Sequence, residues 1–394
     1  MRCNFIFFVW LFFTCIFSQQ VRAQLGENIT INEKKAEQAL RNAYSLRLTD
    51  TIRFKRALEK VSYSFKNSDF ASKALGILAT SSNNKVEKIN YYEQIKKVYL
   101  PQKFRSASDS MIEYVEFLLH EDRKRALNVI KDLTTNKVKY EKWDDLLLQV
   151  SKISSAEDLI ASGKGGEALE ILNNVKFPRF IEEPKPLIGL LKADAIFLIS
   201  GSQATYDSLL YFYKTKPSVS IFNSLLKYGN AINKGPQAVR DDLVKILKKD
   251  AELATNFRLR NYFDNNYLSL SDLRGKAVLL TYWFPTCSPC RNEFTYFERV
   301  IKIFGDKKIA YVSINIEEEQ ANQVLQSIKN YEYSFIPLQE TRYRNKGNLD
   351  NMGSAPVNFL INKNGILIFS GFRIDQSNEA DLELMINLLV NESN

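Results

Sequence analysis

Between about Asn32 and Arg260, apolar residues recur three and four positions apart, as in Ala57, Val61 and Phe65 and again in Ile112, Val115, Phe117 and Leu119. That period lines one side of a helix, so this stretch predicts an α-helical region. Breaks fall at Ser81-Ser82-Asn83-Asn84, Pro101, Thr134-Thr135-Asn136, Ser162-Gly163-Lys164-Gly165-Gly166, Pro178, Pro184, Pro186, Pro217 and Pro236. Such residues stop helices or turn the chain between them. Strong alternation of apolar and polar residues is absent from this region.

The pattern changes near Asn261. Ala277 to Phe284 and Ile309 to Ile316 are apolar runs of the length and bulk of buried strands. Pro289 to Phe304, closed by Gly305, reads as a helix, as do Gln320 to Lys329 and Glu379 to Val390. Phe335 to Leu338 reads as a short strand. Val357 to Ile361 and Ile366 to Phe369 flank Asn362-Lys363-Asn364-Gly365, a hairpin signal. Strand, helix, strand, helix, hairpin, helix predicts an α/β domain with a mixed sheet at 261–394. In the region before it, Gly165 to Leu172 resembles the first helix of a tetratricopeptide-type hairpin. The helical region 24–260 is therefore expected to be either a stack of helical hairpins or a plain helical domain.

The first 23 residues read differently. Arg2, the apolar run Phe5 to Phe17 and the small-residue signal Val21-Arg22-Ala23 predict a secretory signal peptide cleaved before Gln24. A retained membrane anchor needs a longer apolar run. Lipoprotein processing at Cys15 would have to accept the bulky Phe12 and Phe13. Cleavage removes Cys3 and Cys15 of the four cysteines, leaving Cys287 and Cys290. It also lowers the formal net charge from +9 to about +7. Residues 261–394 hold 13 Lys and Arg against 16 Asp and Glu, so the helical region is the basic one. A basic region suits an acidic partner, a membrane surface or simply a solvated lysine-rich face. Export makes nucleic acid an unexpected partner.

Two cysteines three residues apart close a very small loop, which stabilises a fold little, so their pairing points to chemistry. Cys287 stands between a predicted strand and a predicted helix. Unpaired N–H groups and the helix dipole there favour a thiolate, which makes Cys287 the expected attacking residue. Cys290, one turn on, can resolve a mixed disulfide. Pro289 suits a first helical turn. An inert local disulfide is the bland alternative. A zinc site lacks a second cysteine pair, and the single histidine, His120, lies in the helical region. No metal is expected, and no cofactor other than the redox-active cysteine pair.

Ala277 to Glu293, with Trp283, Cys287, Pro289, Cys290, Arg291 and Glu293 at their spacings, resembles the TlpA/ResA type of exported thioredoxin-like thiol-disulfide oxidoreductases. Gly353-Ser354-Ala355-Pro356, followed by Val357 to Asn362 and Gly365, matches that family's second hallmark. The resemblance covers about 261–392. It implies a thioredoxin-like domain of mixed central sheet flanked by helices, and a cis Ala355–Pro356 bond facing the dithiol. It implies that Ala355, Pro356 and Trp283 meet the substrate and that Glu293 tunes proton transfer. The alternatives are an edge-strand proline for Pro356, plain core for Trp283 and an exposed first-turn glutamate for Glu293. Thr281 replaces the buried aspartate of classical thioredoxin, and Phe284-Pro285-Thr286 departs from the family's lead-in.

The expected function is an exported reductase of protein disulfides in a bacterial periplasm or cell envelope, fed by a membrane thiol donor. Two other readings remain open. One is a peroxiredoxin-like thiol peroxidase, whose Pro-x-x-x-Thr/Ser-x-x-Cys loop is not found. The other is a partner-binding protein whose helical region engages an envelope protein and carries the redox domain.

Overall fold

The computed structural model describes residues 31–47, 50–82, 84–101, 103–135, 141–177 and 185–392. The expected signal peptide and the breaks at Asn83, Asn136, Pro178 and Pro184 lie outside these. Two compact units divide the chain: Met1–Ser155 with Asn173–Pro184, and Ala156–Leu172 with Lys185–Asn394. This differs from the sequence-based boundary at 260, because helices after residue 185 share a core with the sheet.

In the first unit, α1 (residues 31–44), α2 (Thr51–Ser64), α3 (Asp69–Ser81), α4 (Lys85–Val98), α5 (Arg105–Glu121) and α6 (Arg123–Thr135) follow one another, and α7 (Glu141–Ala161) begins there. Asp50, Ser68 and Asn84 cap α2, α3 and α4 by accepting N–H bonds that a helix start leaves open. A lock recurs along the chain. The Glu33 carboxylate accepts the Ser68 hydroxyl at 2.7 Å and the Asp69 N–H at 2.9 Å, at the start of α3. The Asp69 carboxylate in turn accepts the Ser106 N–H at 2.8 Å and its hydroxyl at 2.9 Å, at the start of α5. These acids are 36 residues apart. Lys96 and Asp132, also 36 apart, tie α4 to α6 at 2.7 Å. One hairpin thus bonds to the next at a fixed offset, which is how a helical-hairpin stack is built. The ladder lies in 31–135, whereas the sequence signal for hairpins lay at Gly165 to Leu172.

The second unit contains α8 (Gly165–Asn173) up to Leu172, α9 (Lys185–Thr215), α10 (Val219–Ala231) and α11 (Pro236–Lys248). By length and composition, Pro186–Thr215 could cross a membrane. Gly201, at φ 74°, breaks its helical geometry, and Tyr206, Leu209 and Tyr213 beyond the break are buried in the unit's core.

The sheet comprises β1 (Arg258–Asn261), β2 (Tyr267–Ser269), β3 (Ala277–Trp283), β4 (Ile309–Asn315), β5 (Ile336–Gln339), β6 (Val357–Ile361) and β7 (Leu367–Phe372). Its order is β2-β1-β5-β4-β3-β6-β7. β3, β4 and β5 run parallel, joined through α12 (Ser288–Phe304) and α13 (Val324–Tyr331); the outer strands are antiparallel. The mixed sheet expected of a thioredoxin-like domain is therefore present. Both central strands, β3 and β4, are buried along their whole length. Alternation sorts their side chains. Leu279, Trp283, Tyr311 and Leu360 face a core shared with α12, α13 and α14 (Glu379–Val390) and with α9 to α11. Leu280, Tyr282, Val312 and Phe359 face a second core closed by Phe257, Leu270, Leu273 and Leu349.

Candidate functional site

The site begins where β3 ends. After Trp283 the chain turns, with the Cys287 N–H donating to the Phe284 carbonyl at 2.9 Å, and α12 starts. Cys287 is the residue capping α12, and its Sγ accepts the Cys290 N–H at 3.2 Å. Pro289 lies in the first turn and Gly305, at φ 73°, ends the helix. Cys287 and Cys290 form a disulfide with Cα atoms 5.3 Å apart. Cys287 is 3% exposed and Cys290 is fully buried, while Thr286, Ser288 and Pro289 are exposed around them. The cysteine at the helix start is thus the less buried of the two. The lead-in is held from two sides. The Gln320 side-chain oxygen accepts the Thr286 N–H at 3.1 Å and its hydroxyl at 3.0 Å, and Arg291 donates to the Pro285 carbonyl at 2.9 Å.

Val357 of β6 pairs with Tyr282 of β3 in antiparallel register, which places Pro356 level with Trp283, where the dithiol loop leaves the sheet. The Ala355–Pro356 bond is cis. Pro356 is buried, and half-buried Ala355 packs on the same apolar cluster as both cysteines. Asn351 steadies the approach to it, its amide donating to the Ser354 carbonyl at 2.8 Å. Trp283 does not fit the expected substrate-contact role. It is fully buried, with ring centroids 5.1 Å from Phe335 and 5.6 Å from Phe294. It is core beneath the disulfide, because the last residue of a strand buried on both faces has no route to solvent.

Glu293 is not an exposed first-turn residue. It lies in the second turn of α12, three residues beyond Cys290 on the same buried face, and is 3% exposed. Its Oε2 accepts the Asn358 amide at 2.8 Å. Its Oε1 accepts Nε of Arg373, an ion pair, and the Ile374 N–H at 3.3 Å. Asn358 is fixed in turn: its Oδ1 accepts the Thr281 hydroxyl at 2.7 Å, and its amide also donates to the Phe372 carbonyl at 2.9 Å. Thr281 pairs in register with Ser313 on one side and Asn358 on the other, so a polar row crosses three central strands under α12. At Thr281 the strand carries a hydroxyl, and the buried carboxylate that meets this polar row, Glu293, comes from α12. Asn358 and Arg373 were not anticipated from sequence. Asn358 had a signal, a polar residue inside the apolar run Val357 to Ile361; Arg373 had none. Among the described residues there is no cluster of three or more His, Cys, Asp or Glu suited to a metal ion.

Residues 251–370 match the model of the AhpC/TSA family. The C-terminal third is similar to the thiol-disulfide oxidoreductase ResA of Geobacillus kaustophilus, 31% identical over 119 residues, 29% of this chain and 66% of ResA. Similarity to ResA of Bacillus subtilis is 31% over 115 residues, 29% of this chain and 63% of that protein. The thioredoxin-like protein YneN of Bacillus subtilis is 29% identical over 140 residues, covering 34% of this chain and 80% of YneN. The chain therefore spans less than two thirds of the length of these ResA relatives. Among solved structures, the thioredoxin domain of a thiol-disulfide oxidoreductase from Bacteroides vulgatus aligns at TM-score 0.30 and 22% identity, covering 36% of this chain and 96% of that one. A DsbF homologue from Corynebacterium diphtheriae aligns at TM-score 0.32 and 20% identity, covering 36% and 88%. The C-terminal third is thioredoxin-like and related to the ResA thiol-disulfide oxidoreductases.

Proposed function

We propose that this chain is an exported thiol-disulfide oxidoreductase that reduces disulfides of protein clients through Cys287 and Cys290. The observation that carries the reading is the Cys287–Cys290 disulfide seated on the first turn of α12, its Cys287 sulfur capping the helix. In the reduced protein the Cys287 thiolate, favoured by the helix start, attacks a client disulfide. A Cys287–client bond forms, and the client's other sulfur leaves as thiolate. Cys290 then gives its proton to Glu293 and attacks Cys287 Sγ. The Cys287–Cys290 bond closes, the second client sulfur leaves, and two electrons have passed to the client. Glu293 returns its proton to solvent. The backbone beside Pro356 is the ledge for the client peptide. A membrane thiol donor restores the dithiol, and the helical region recruits an envelope partner.

Insulin reduction tests this reading. Wild type is expected to accelerate precipitation of the insulin chains and Cys287→Ser to fall to the uncatalysed rate. A wild type no faster than that variant refutes it. The AhpC/TSA match favours a second reading, a thiol peroxidase. Rapid sulfenate formation on mixing the reduced protein with peroxide would support that reading over the first.

A further inference from the structure

We propose that Arg373 is a positioning residue for the dithiol, reaching in from the exit of β7 to hold Glu293 as an anion ready to take the proton of Cys290. The inference rests on the oxidoreductase reading and on Glu293 as proton acceptor, and adds the residue that makes the second workable.

A carboxylate 3% exposed is costly to keep charged unless it is paired and hydrogen-bonded. Three groups meet Glu293 from outside its helix, and they do different work. The Asn358 amide and the Ile374 N–H fix where the two oxygens point. Neither carries charge. Arg373 brings the cation, and its side chain is 53% exposed although its partner is buried. It therefore closes the polar row from the solvent side. Its backbone is anchored independently, since the Arg373 carbonyl accepts the Asn378 amide at 2.9 Å. The flanking residues are engaged too: Phe372 offers its carbonyl to Asn358, and Ile374 its N–H to Glu293. Two consecutive residues, Arg373 and Ile374, thus bond the carboxylate directly, and Phe372 holds the asparagine that bonds its other oxygen.

The consequence for catalysis follows from charge. A proton acceptor must be empty when Cys290 is ready to attack. Without the cation the buried carboxylate loses its one charged partner, and the resolving step that depends on it is expected to slow. Among the described residues, the titratable or charged groups tied to Glu293 include Cys290 one turn back on its own helix, Tyr311 from β4 and Arg373 beyond β7. Tyr311 is held well above its ordinary range by burial first and then by the charges of Glu298, Tyr333 and Glu293. From β3 and β6 come Thr281 and Asn358, which do not titrate.

The test is single-turnover oxidation of the reduced full-length protein by oxidised glutathione, followed from about pH 4 to about pH 9. Arg373→Gln is expected to move the acid limb toward higher pH and to slow the reaction by roughly tenfold on that side. Arg373→Lys, which restores charge, is expected to recover most of it. Glu293→Gln is expected to flatten the limb, and Arg373→Gln in that background to change nothing further. A purely structural arginine would lower the melting temperature without moving the limb. If Glu293→Gln flattens the limb while Arg373→Gln leaves it in place, the role of Arg373 is overturned. If Glu293→Gln also leaves the limb in place, the proton-acceptor role falls and this inference with it. A wild type that does not react would instead sink the oxidoreductase reading. Arg373→Met serves as a second neutral variant should the glutamine variant fold poorly.

Discussion

The hairpin ladder of 31–135 and the sheet region of 258–390 use polar residues in opposite ways. In the ladder, carboxylates sit at helix starts and on outer faces, and the same bond recurs from one hairpin to the next, as at Glu33–Asp69 and Asp69–Ser106. Each bond joins neighbours, is partly open to water and has a counterpart. In the sheet region, Thr281, Asn358 and Glu293 are buried and occur once, gathered under the helix that carries the dithiol. Polar groups that repeat at the surface build a scaffold. The buried carboxylate pairs with an arginine 80 residues away, and it stands one helical turn beyond Cys290.

Four substitutions test that contrast, from the largest effect to the smallest. Trp283→Ala removes the fully buried ring beneath the disulfide and is expected to destabilise the second unit by about 3–5 kcal/mol. Chemical denaturation followed by hydrogen exchange would measure it, and a loss under about 1 kcal/mol would mean Trp283 is not core support. Asp69→Ala cuts one rung of the ladder. It is expected to cost about 1–2 kcal/mol, read as faster exchange at the start of α5, with insulin reduction unchanged. A change in the dithiol chemistry itself would erase the distinction between scaffold and site.

Glu340→Gln probes acid sensitivity. Burial pushes the Glu340 carboxyl up, but Arg344, bonding both oxygens at 2.7 and 2.8 Å, together with the Thr341 N–H and the charge of Lys346, holds the group below the usual range. The folded value is then below the unfolded one. The stabilisation is complete above the unfolded value and is lost as pH falls through the folded one. Wild type is expected to lose stability through that acidic window and Glu340→Gln to lose less, as measured by melting temperature against pH. Equal losses would remove Glu340 from the balance. Lys96→Ala breaks the Lys96–Asp132 pair, whose aspartate is 61% exposed, and is expected to change stability by under about 1 kcal/mol. A larger loss would mean that the outer bonds, not the apolar packing, hold the ladder.

The same contrast explains what could be read from sequence. The cysteine pair, β3, α12 and the Asn362–Gly365 turn were legible because local patterns specify them: an apolar run, a helix start, a turn; the cis Ala355–Pro356 bond was legible only through the family resemblance. β1 was not, since Arg-Leu-Arg-Asn places one buried residue, Leu259, between two exposed arginines. The break at Asp122 was hidden because no Pro or Gly marks it; Asp122 itself accepts the Arg125 N–H at 3.0 Å and starts α6. The ladder was hidden because its rungs are ordinary Glu, Asp, Ser and Lys residues whose meaning lies only in their offset. Arg373 was hidden for the most general reason. Its partner is 80 residues earlier, and only the sheet order and the exit of β7 bring the two together.

The central claim is that Cys287 attacks and Cys290 resolves. Reduced Cys290→Ser and Cys287→Ser variants should each be mixed with an excess of a disulfide-bonded peptide and resolved by mass spectrometry under non-reducing conditions. The expected result is a stable mixed disulfide on Cys287 in the Cys290→Ser protein, and little or none in the Cys287→Ser protein. Adduct forming at least as fast on Cys290 would contradict the assignment. Adduct on neither would contradict the thiol-disulfide chemistry as a whole.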